Sequence, residues 1–406
     1  MIDANVTFNR ATPKSANHFF GYYDKCPWSG DGSKLLALET AFIDRSPEPD
    51  EGAGVLVVDA NDPEKAERID TSYSWCWQMG AILQWMPDDP NRTVMYNTRI
   101  GDRFVTVVHN IETGAKRVLP RPVYALGRDG KKAISVNFGR IHEQRPGYGY
   151  PGVPDQWADV DAPGDDGLYL MDMATGEHRL VLSYADIAAC EPVPEMAGKK
   201  QWVNHIYFGP GNERIVFLHR FRLDDGGCVT RMMTADPDGK NLTCVGASWM
   251  ISHYDWQEPG KILAWCDPVW TKVDRPQELT GASLTKPNDF GDADYYNISD
   301  PDGAVENVGH DLFPGDGHCS WSPDLTWIVT DTYPDKDKNR TLFIYRPSDR
   351  TVINLGKVYA PPELPGDRRC DLHPRWSRDG QTICFDSAHE GDRQMYTVDV
   401  SEFVGN

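Results

Sequence analysis

Four histidines occupy the same place in a repeated tetrad: His205-Ile-Tyr-Phe208, His253-Tyr-Asp-Trp256, His318-Cys-Ser-Trp321 and His373-Pro-Arg-Trp376. Each tetrad runs into a turn built from Pro, Gly or Asp: Gly209-Pro210-Gly211, Glu258-Pro259-Gly260, Ser322-Pro323-Asp324 and Ser377-Arg378-Asp379-Gly380. Imidazole exchanges protons near neutrality and suits Mn, Fe, Co, Ni or Zn, whereas Ca and Mg prefer oxygen. If the repeats surround one axis, the imidazoles of successive repeats converge without any local motif. A lone histidine at a strand start is more often structural. Four in register, absent from the earlier repeats, favour a site, because scaffolding should recur in every repeat.

Other polar groups flank the tetrads. Gln201 and Asn204 precede His205, Asp255 follows His253, Asp316 precedes His318, and Arg368, Arg369 and Asp371 precede His373. In the first repeat the matching stretch carries Asn17-His18 and Tyr22-Tyr23-Asp24-Lys25. Arginine is the side chain best shaped to hold a carboxylate through two parallel hydrogen bonds. The simpler alternative for Asp255, Asp371 and Arg375 is a salt bridge between repeats.

The elements that must position these groups are short strands. After Trp321 come Trp327–Asp331, Thr341–Tyr345 and Val352–Leu355; after Trp376 come Thr382–Asp386 and Gln394–Val398. β-Branched and aromatic runs at even spacing, divided by Gly, Pro and Asp turns, indicate an all-β repeat fold. Weaker copies open at Tyr22–Gly32, Ala81–Asp88 and Val123–Gly130, which makes seven units. Seven units of four strands are the blades of a β-propeller. The expected blades span roughly 16–74, 75–120, 121–185, 200–247, 248–310, 315–358 and 370–403 of a single domain, 1–406. The last unit shows three clear strands, so the N-terminal segment Asn5–Asn9 is expected to supply the fourth and close the ring, which removes free strand edges. Two separate β-sandwiches would need a linker near the middle, where none is visible.

An excursion from Arg140 to Asp166 interrupts the third unit between its second and third strands. It is too long for a hairpin and rich in Gly, Pro and Tyr; such segments are commonly functional or disordered. Arg140, His142, Arg145, Tyr148, Tyr150 and Trp157 suit a lid over a sugar or carboxylate, and a packing loop over one end of the ring is an equal alternative.

Composition narrows the partners. A net charge of -20 argues against nucleic acid and anionic membranes, which require Lys and Arg to neutralise phosphate. No apolar run approaches the length needed to span a bilayer, and Met1-Ile2-Asp3-Ala4-Asn5 lacks a basic region followed by an apolar stretch, so a cytoplasmic protein is expected. Nine cysteines, an odd number without a CxxC pair, suit a reducing compartment.

The W-S-P-D and W-S-x-D-G openings, the histidines of the late blades, and the run from His373-Pro-Arg-Trp-Ser-Arg-Asp-Gly380 to Cys384-Phe-Asp-Ser-Ala-His-Glu-Gly391 resemble the oligogalacturonate lyases, seven-bladed propellers among the polysaccharide lyases. The same turns also resemble TolB-type propellers, which are protein-binding scaffolds. The lyase resemblance covers chiefly the last four units. It implies metal-assisted β-elimination on a short oligosaccharide with a uronate, with a divalent transition metal, expected to be manganese, on His253 and His318; His373, placed by the register of the repeat alone, is the candidate third ligand. His205 becomes the base, and Arg369 neutralises the carboxylate. His18, Tyr23, Lys25, Arg140, His142, Arg145, Tyr148 and Arg368 are the expected substrate contacts. The chain departs from the family where one late blade supplies a glutamine and a His-x-His pair; here that blade offers Gly315, His318 and Ser320. A glycoside hydrolase, with carboxylates drawn from Asp24, Asp255 and Asp371, and a TolB-type scaffold remain the alternatives.

Overall fold

The computed structural model describes residues 1–224, 226–248, 250–267 and 293–405. The chain is a seven-bladed β-propeller built on four-stranded antiparallel blades, one of which gains a fifth strand. Two compact units divide it. Unit 1 comprises Met1–Pro122, Arg145–Val153 and the chain from Gly317 onward; unit 2 comprises Val123–Gln144 and Pro154–Asp316. Unit 1 holds blades 1, 2, 6 and 7, and unit 2 holds blades 3, 4 and 5. No helix among the described residues is long and apolar enough to cross a membrane.

The repeated turn explains why sequence and fold agree. In blade 6 Ser322 Oγ bonds Asp324 Oδ1 at 2.5 Å and accepts the Trp327 amide at 2.9 Å. In blade 7 Ser377 does the same with Asp379 at 2.5 Å and the Thr382 amide at 2.9 Å. In blade 1 the partners of Ser29 are Asp31 at 2.7 Å and the Lys34 amide at 3.0 Å. Side-chain oxygens thus occupy the amides of a tight turn and start the second strand in fixed register. The Ser29 hydroxyl and the Ser33 amide hold the Asp31 carboxyl down at about 2.

Blade 7 consists of Arg375–Trp376, Thr382–Ser387, Gln394–Asp399 and the N-terminal strand Asn9–Arg10. The closing strand therefore falls at Asn9–Arg10, not at the expected Asn5–Asn9. Ile2–Asp3 instead pairs in parallel with Thr351–Tyr359 as a fifth strand of blade 6. The residues between them are held by packing. Ala4, Val6 and Phe8 lie against the core of blades 6 and 7, and the Phe8 ring meets Phe385 edge-on at 5.0 Å. The first ten residues thus bind two adjacent blades.

Blade 3 contains the excursion, which follows Lys132–Ser135 and begins as a helix, Phe138–Gln144. In blade 4, Gln201–Phe208 and Ile215–Arg222 are buried along almost their whole length. There His219 is enclosed, its Nε2–H donating to Gln201 Oε1 at 2.8 Å while Nδ1 faces Arg231 Nη1 at 3.3 Å. Burial foremost, and then the Arg231 charge, hold its pKa well below the ordinary value.

Two outcomes follow from this packing. Phe8→Ala should lower stability by about 2 kcal/mol, short of the range for a fully buried ring because Phe8 is half-buried, as chemical denaturation would register. Folded His219 stays neutral where unfolded histidine takes a proton, so its contribution is complete above pH 6.5 and is lost as pH falls. Stability should drop between pH 7 and pH 5.5, by at most about 1.4 kcal/mol per pH unit for this group, read as a falling melting temperature, and His219→Gln should flatten that slope.

Candidate functional site

Two of the four tetrad histidines meet inside unit 1. His318 and His373, 1 % and 2 % exposed, pack edge to face with ring centroids 4.4 Å apart. The chain fixes which nitrogen of each ring can act. His318 Nδ1 lies 2.8 Å from Asp331 Oδ1, and the same carboxylate accepts the His318 backbone N–H at 2.7 Å. His373 Nδ1 lies 2.8 Å from the Gly21 carbonyl. A carbonyl and a carboxylate only accept, so in the neutral rings both Nδ1 atoms carry the proton and both Nε2 atoms carry the lone pair. An imidazole whose Nδ1–H is tied to an oxygen is the usual form of an oriented metal ligand or base.

The Gly21 carbonyl is itself held. Arg375 and Asp386 form a buried two-pronged pair, Nη1 to Oδ1 at 3.1 Å and Nη2 to Oδ2 at 2.9 Å. Asp386 accepts the amides of Phe20 and Gly21, each at 3.3 Å, and Arg375 Nε donates to the Tyr22 carbonyl. Gly21 sits at φ +128°, and a Cβ there would lie 2.9 Å from the Met79 carbonyl oxygen, so no other residue fits. The same loop presents two phenols: Tyr22 packs on His373 at 4.8 Å and Tyr23 on His318 at 5.5 Å.

Asp371 completes a group of three. Ligand atoms of His318, Asp371 and His373 all lie within 4.8 Å of one another, and all three residues are buried. Asp371 is bracketed by two guanidiniums, Arg340 Nη2 at 2.6 Å on Oδ1 and Arg369 Nε at 2.7 Å on Oδ2. Arg369 also donates to Tyr148 Oη at 2.9 Å, and Arg145 stacks over the Tyr148 ring at 4.2 Å. Two imidazole nitrogens and one carboxylate suit a borderline divalent ion such as Mn, Fe or Zn; they lack the oxygens that Ca requires. The donor set therefore fits a transition metal.

His205 and His253 belong to unit 2. Both stand on β-bulges, where the register shifts between Asn204 and Tyr207 and between Ile251 and Tyr254. Bulges re-aim side chains and gather near active sites. His205 adopts φ +51° and His373 φ +45°, left-handed conformations that cost a non-glycine residue energy. Ile82, in the matching place of blade 2, does the same at φ +53°, so the strain belongs to the repeat position and the imidazole is what blades 4 and 7 add. His253 Nδ1 lies 3.0 Å from Asp316 Oδ1 and 3.0 Å from Ser252 Oγ.

Several expected substrate contacts are committed elsewhere. Arg140 is fully buried in a cage of acceptors: the carbonyls of Gln201, Trp157, Val160 and Asp161, and the Asp155 carboxylate at 2.9 Å. Its guanidinium ties the excursion to blade 4, a structural role. His18 is enclosed between Gln394 at 3.3 Å and Glu39 at 3.5 Å, and burial lowers its pKa. Lys25 is paired with Asp24 at 2.5 Å, and Arg368 donates to the Asp44 carbonyl. His142 lies half-buried on the Phe138–Gln144 helix. Asp371 was visible as a neighbour of His373 but not as a member of the trio. Asp331 was overlooked as an orienting group, although it stands thirteen residues after His318, as Asp386 does after His373.

No protein-family model matches the sequence, and no curated protein matches it. Among solved structures the chain is similar to oligogalacturonate lyase from Vibrio parahaemolyticus, with 16 % identity, a TM-score of 0.64, and coverage of 98 % of this chain and 96 % of that one. It is equally similar to an oligogalacturonate lyase in complex with manganese, with 16 % identity and 0.64 over the whole of both chains. The β-propeller domain of the trilobed protease from Pyrococcus furiosus gives 9 % identity and 0.50, covering 90 % of this chain and 92 % of that one. In fold, the chain is an oligogalacturonate lyase-like seven-bladed β-propeller.

Proposed function

We propose that the protein is a metal-assisted lyase that cleaves short uronic-acid oligosaccharides by β-elimination. The observation that carries this reading is the buried trio His318, Asp371 and His373, with both imidazoles held in the Nε2-accepting tautomer. The whole-length likeness to oligogalacturonate lyases supports it.

The reaction needs three services from the chain. The proton α to a uronate carboxylate is weakly acidic, so negative charge that develops on that carboxylate must be met by fixed positive charge. Arg369, braced by Asp371 and Tyr148, is assigned to that task. A base must take the proton. Its bonding electrons become the new carbon–carbon double bond, the glycosidic C–O bond breaks, and the leaving oxygen collects a proton. His205 is assigned as the base on the family resemblance. Tyr23, His142, Arg145 and Tyr148 are assigned to the sugar.

His318, Asp371 and His373 would hold the divalent metal, with manganese the expected ion because a neighbour of this fold was solved as a manganese complex. When bound, the ion would act as a Lewis acid on the carboxylate. Asp371 enters the ligand set because its carboxylate lies within 4.8 Å of the ligand atoms of both imidazoles; His253, the other ligand expected from the sequence, lies in unit 2.

Incubation with oligogalacturonides should give the absorbance of a 4,5-unsaturated product; new reducing ends without that absorbance would identify a hydrolase. The purified protein should carry a transition metal that His318→Ala and Asp371→Asn lose. Asp331→Asn should weaken metal affinity about 10- to 100-fold by freeing the His318 ring, measured by titration against a chelator. His205→Ala should cut turnover about 10²- to 10⁴-fold with metal content unchanged.

A further inference from the structure

Blade 4 carries a group of buried hydrogen-bond donors that the reading above does not use. Trp202 stands opposite Arg220 in the ladder and Asn204 opposite Leu218. Antiparallel partners share a face and alternate residues return to it, so Trp202, Asn204 and Arg220 lie on one face. His219, Gln201 and Arg231 occupy the other face, where they bond one another. Trp202 and Asn204 are 0 % exposed and Arg220 is 4 % exposed. The Nε and Nη1 atoms of Arg220, the indole nitrogen of Trp202, and both amide atoms of Asn204 are enclosed without a hydrogen-bond partner among the described residues.

The contrast with the other buried arginines is informative. Arg140, Arg231 and Arg393 donate to backbone carbonyls, Arg340 to Asp371 and Thr332, and Arg375 to Asp386. Each has its charge or its protons met by protein. Among the described residues nothing accepts from Nε and Nη1 of the buried Arg220, a state that is costly unless a counter-ion arrives. Arginine and indole can only donate, so the partner must be an acceptor. A second guanidinium, Arg222, lies over the Trp202 ring at 5.6 Å but donates to the Gln144 carbonyl, and the planar fork of Arg220 matches a planar carboxylate. Asn204 leads directly into His205, the residue assigned as base.

We infer that Arg220, with Asn204 and Trp202, forms a carboxylate-binding subsite for an acidic sugar next to His205. The choice of a sugar acid rests on the lyase reading; the carboxylate itself rests on the donors. Arg220 is a binding residue, and its fork would orient a sugar carboxylate other than the one assigned to Arg369.

The test is calorimetric titration of the intact protein with D-galacturonate and with D-galactose, which lacks the carboxylate, together with melting curves in the absence of sugar. The wild type should bind galacturonate and not galactose. Arg220→Met should weaken galacturonate binding on the order of 100-fold and raise the melting temperature without sugar, because it removes an uncompensated buried charge. Arg220→Lys should keep part of the binding and lose the preference given by the fork. Unchanged galacturonate affinity in Arg220→Met, a lowered melting temperature in that variant, or equal binding of galactose by the wild type would each overturn the inference. Failure of the lyase reading looks different: galacturonate binding that depends on Arg220, with no unsaturated product from any oligouronide.

Discussion

The buried ion pair between Arg375 and Asp386 is the constraint on which the candidate centre depends. It joins the second strand of blade 7 to its first and clamps the backbone from Phe20 to Tyr22, bringing a loop of blade 1 against blade 7. That loop supplies the carbonyl that orients His373 and the phenols that wall both imidazoles. A buried pair of this kind contributes little net stability, because desolvation of the charges offsets their attraction. Its value is geometric. Removing either partner would leave an enclosed charge and release the loop, so the pair makes the arrangement all-or-none.

Positive charge serves two purposes in this molecule, and burial alone does not distinguish them. Arg140 and Arg393 are fully enclosed yet bound to carbonyls, where they replace missing strand partners and tie loops to blades. Arg369 is partly exposed and shares its protons among Asp371, Tyr148 and the Gly366 carbonyl, a mixture that leaves it held but not saturated. The partner inventory separates scaffold from site.

The fold was legible because its signal is local and repeated: Ser and Asp oxygens two residues apart cap the same turn in blades 1, 6 and 7. His318 and His373 were legible for the same reason, since register in a repeat translates into register in space. Tyr148 and Arg369 were both expected at the site, and they meet across 221 residues of sequence. Arg140 and His18 were misplaced because residue type says nothing about which acceptors close around a side chain; the carbonyl cage of Arg140 exists only after the excursion has folded. Asp331 and Asp371 were hard to single out in a chain with 61 acidic residues, where a carboxylate near a histidine is common. Their roles come from a hydrogen bond and a bracket of arginines that no spacing rule encodes.

The N-terminal stretch that pairs with blade 6 and blade 7 also imposes an order on biosynthesis. Ile2–Asp3 and Asn9–Arg10 are made well before their partners, Thr351–Tyr359 and Gln394–Asp399. While the ribosome works, Val6 and Phe8 have no core to enter, and the outer edge of blade 7 does not yet exist. Pairing of this stretch therefore waits for the strands of blades 6 and 7 and is a step of high contact order, slow relative to the hairpins that precede it. Until then Val6 and Phe8 lack the core they pack against.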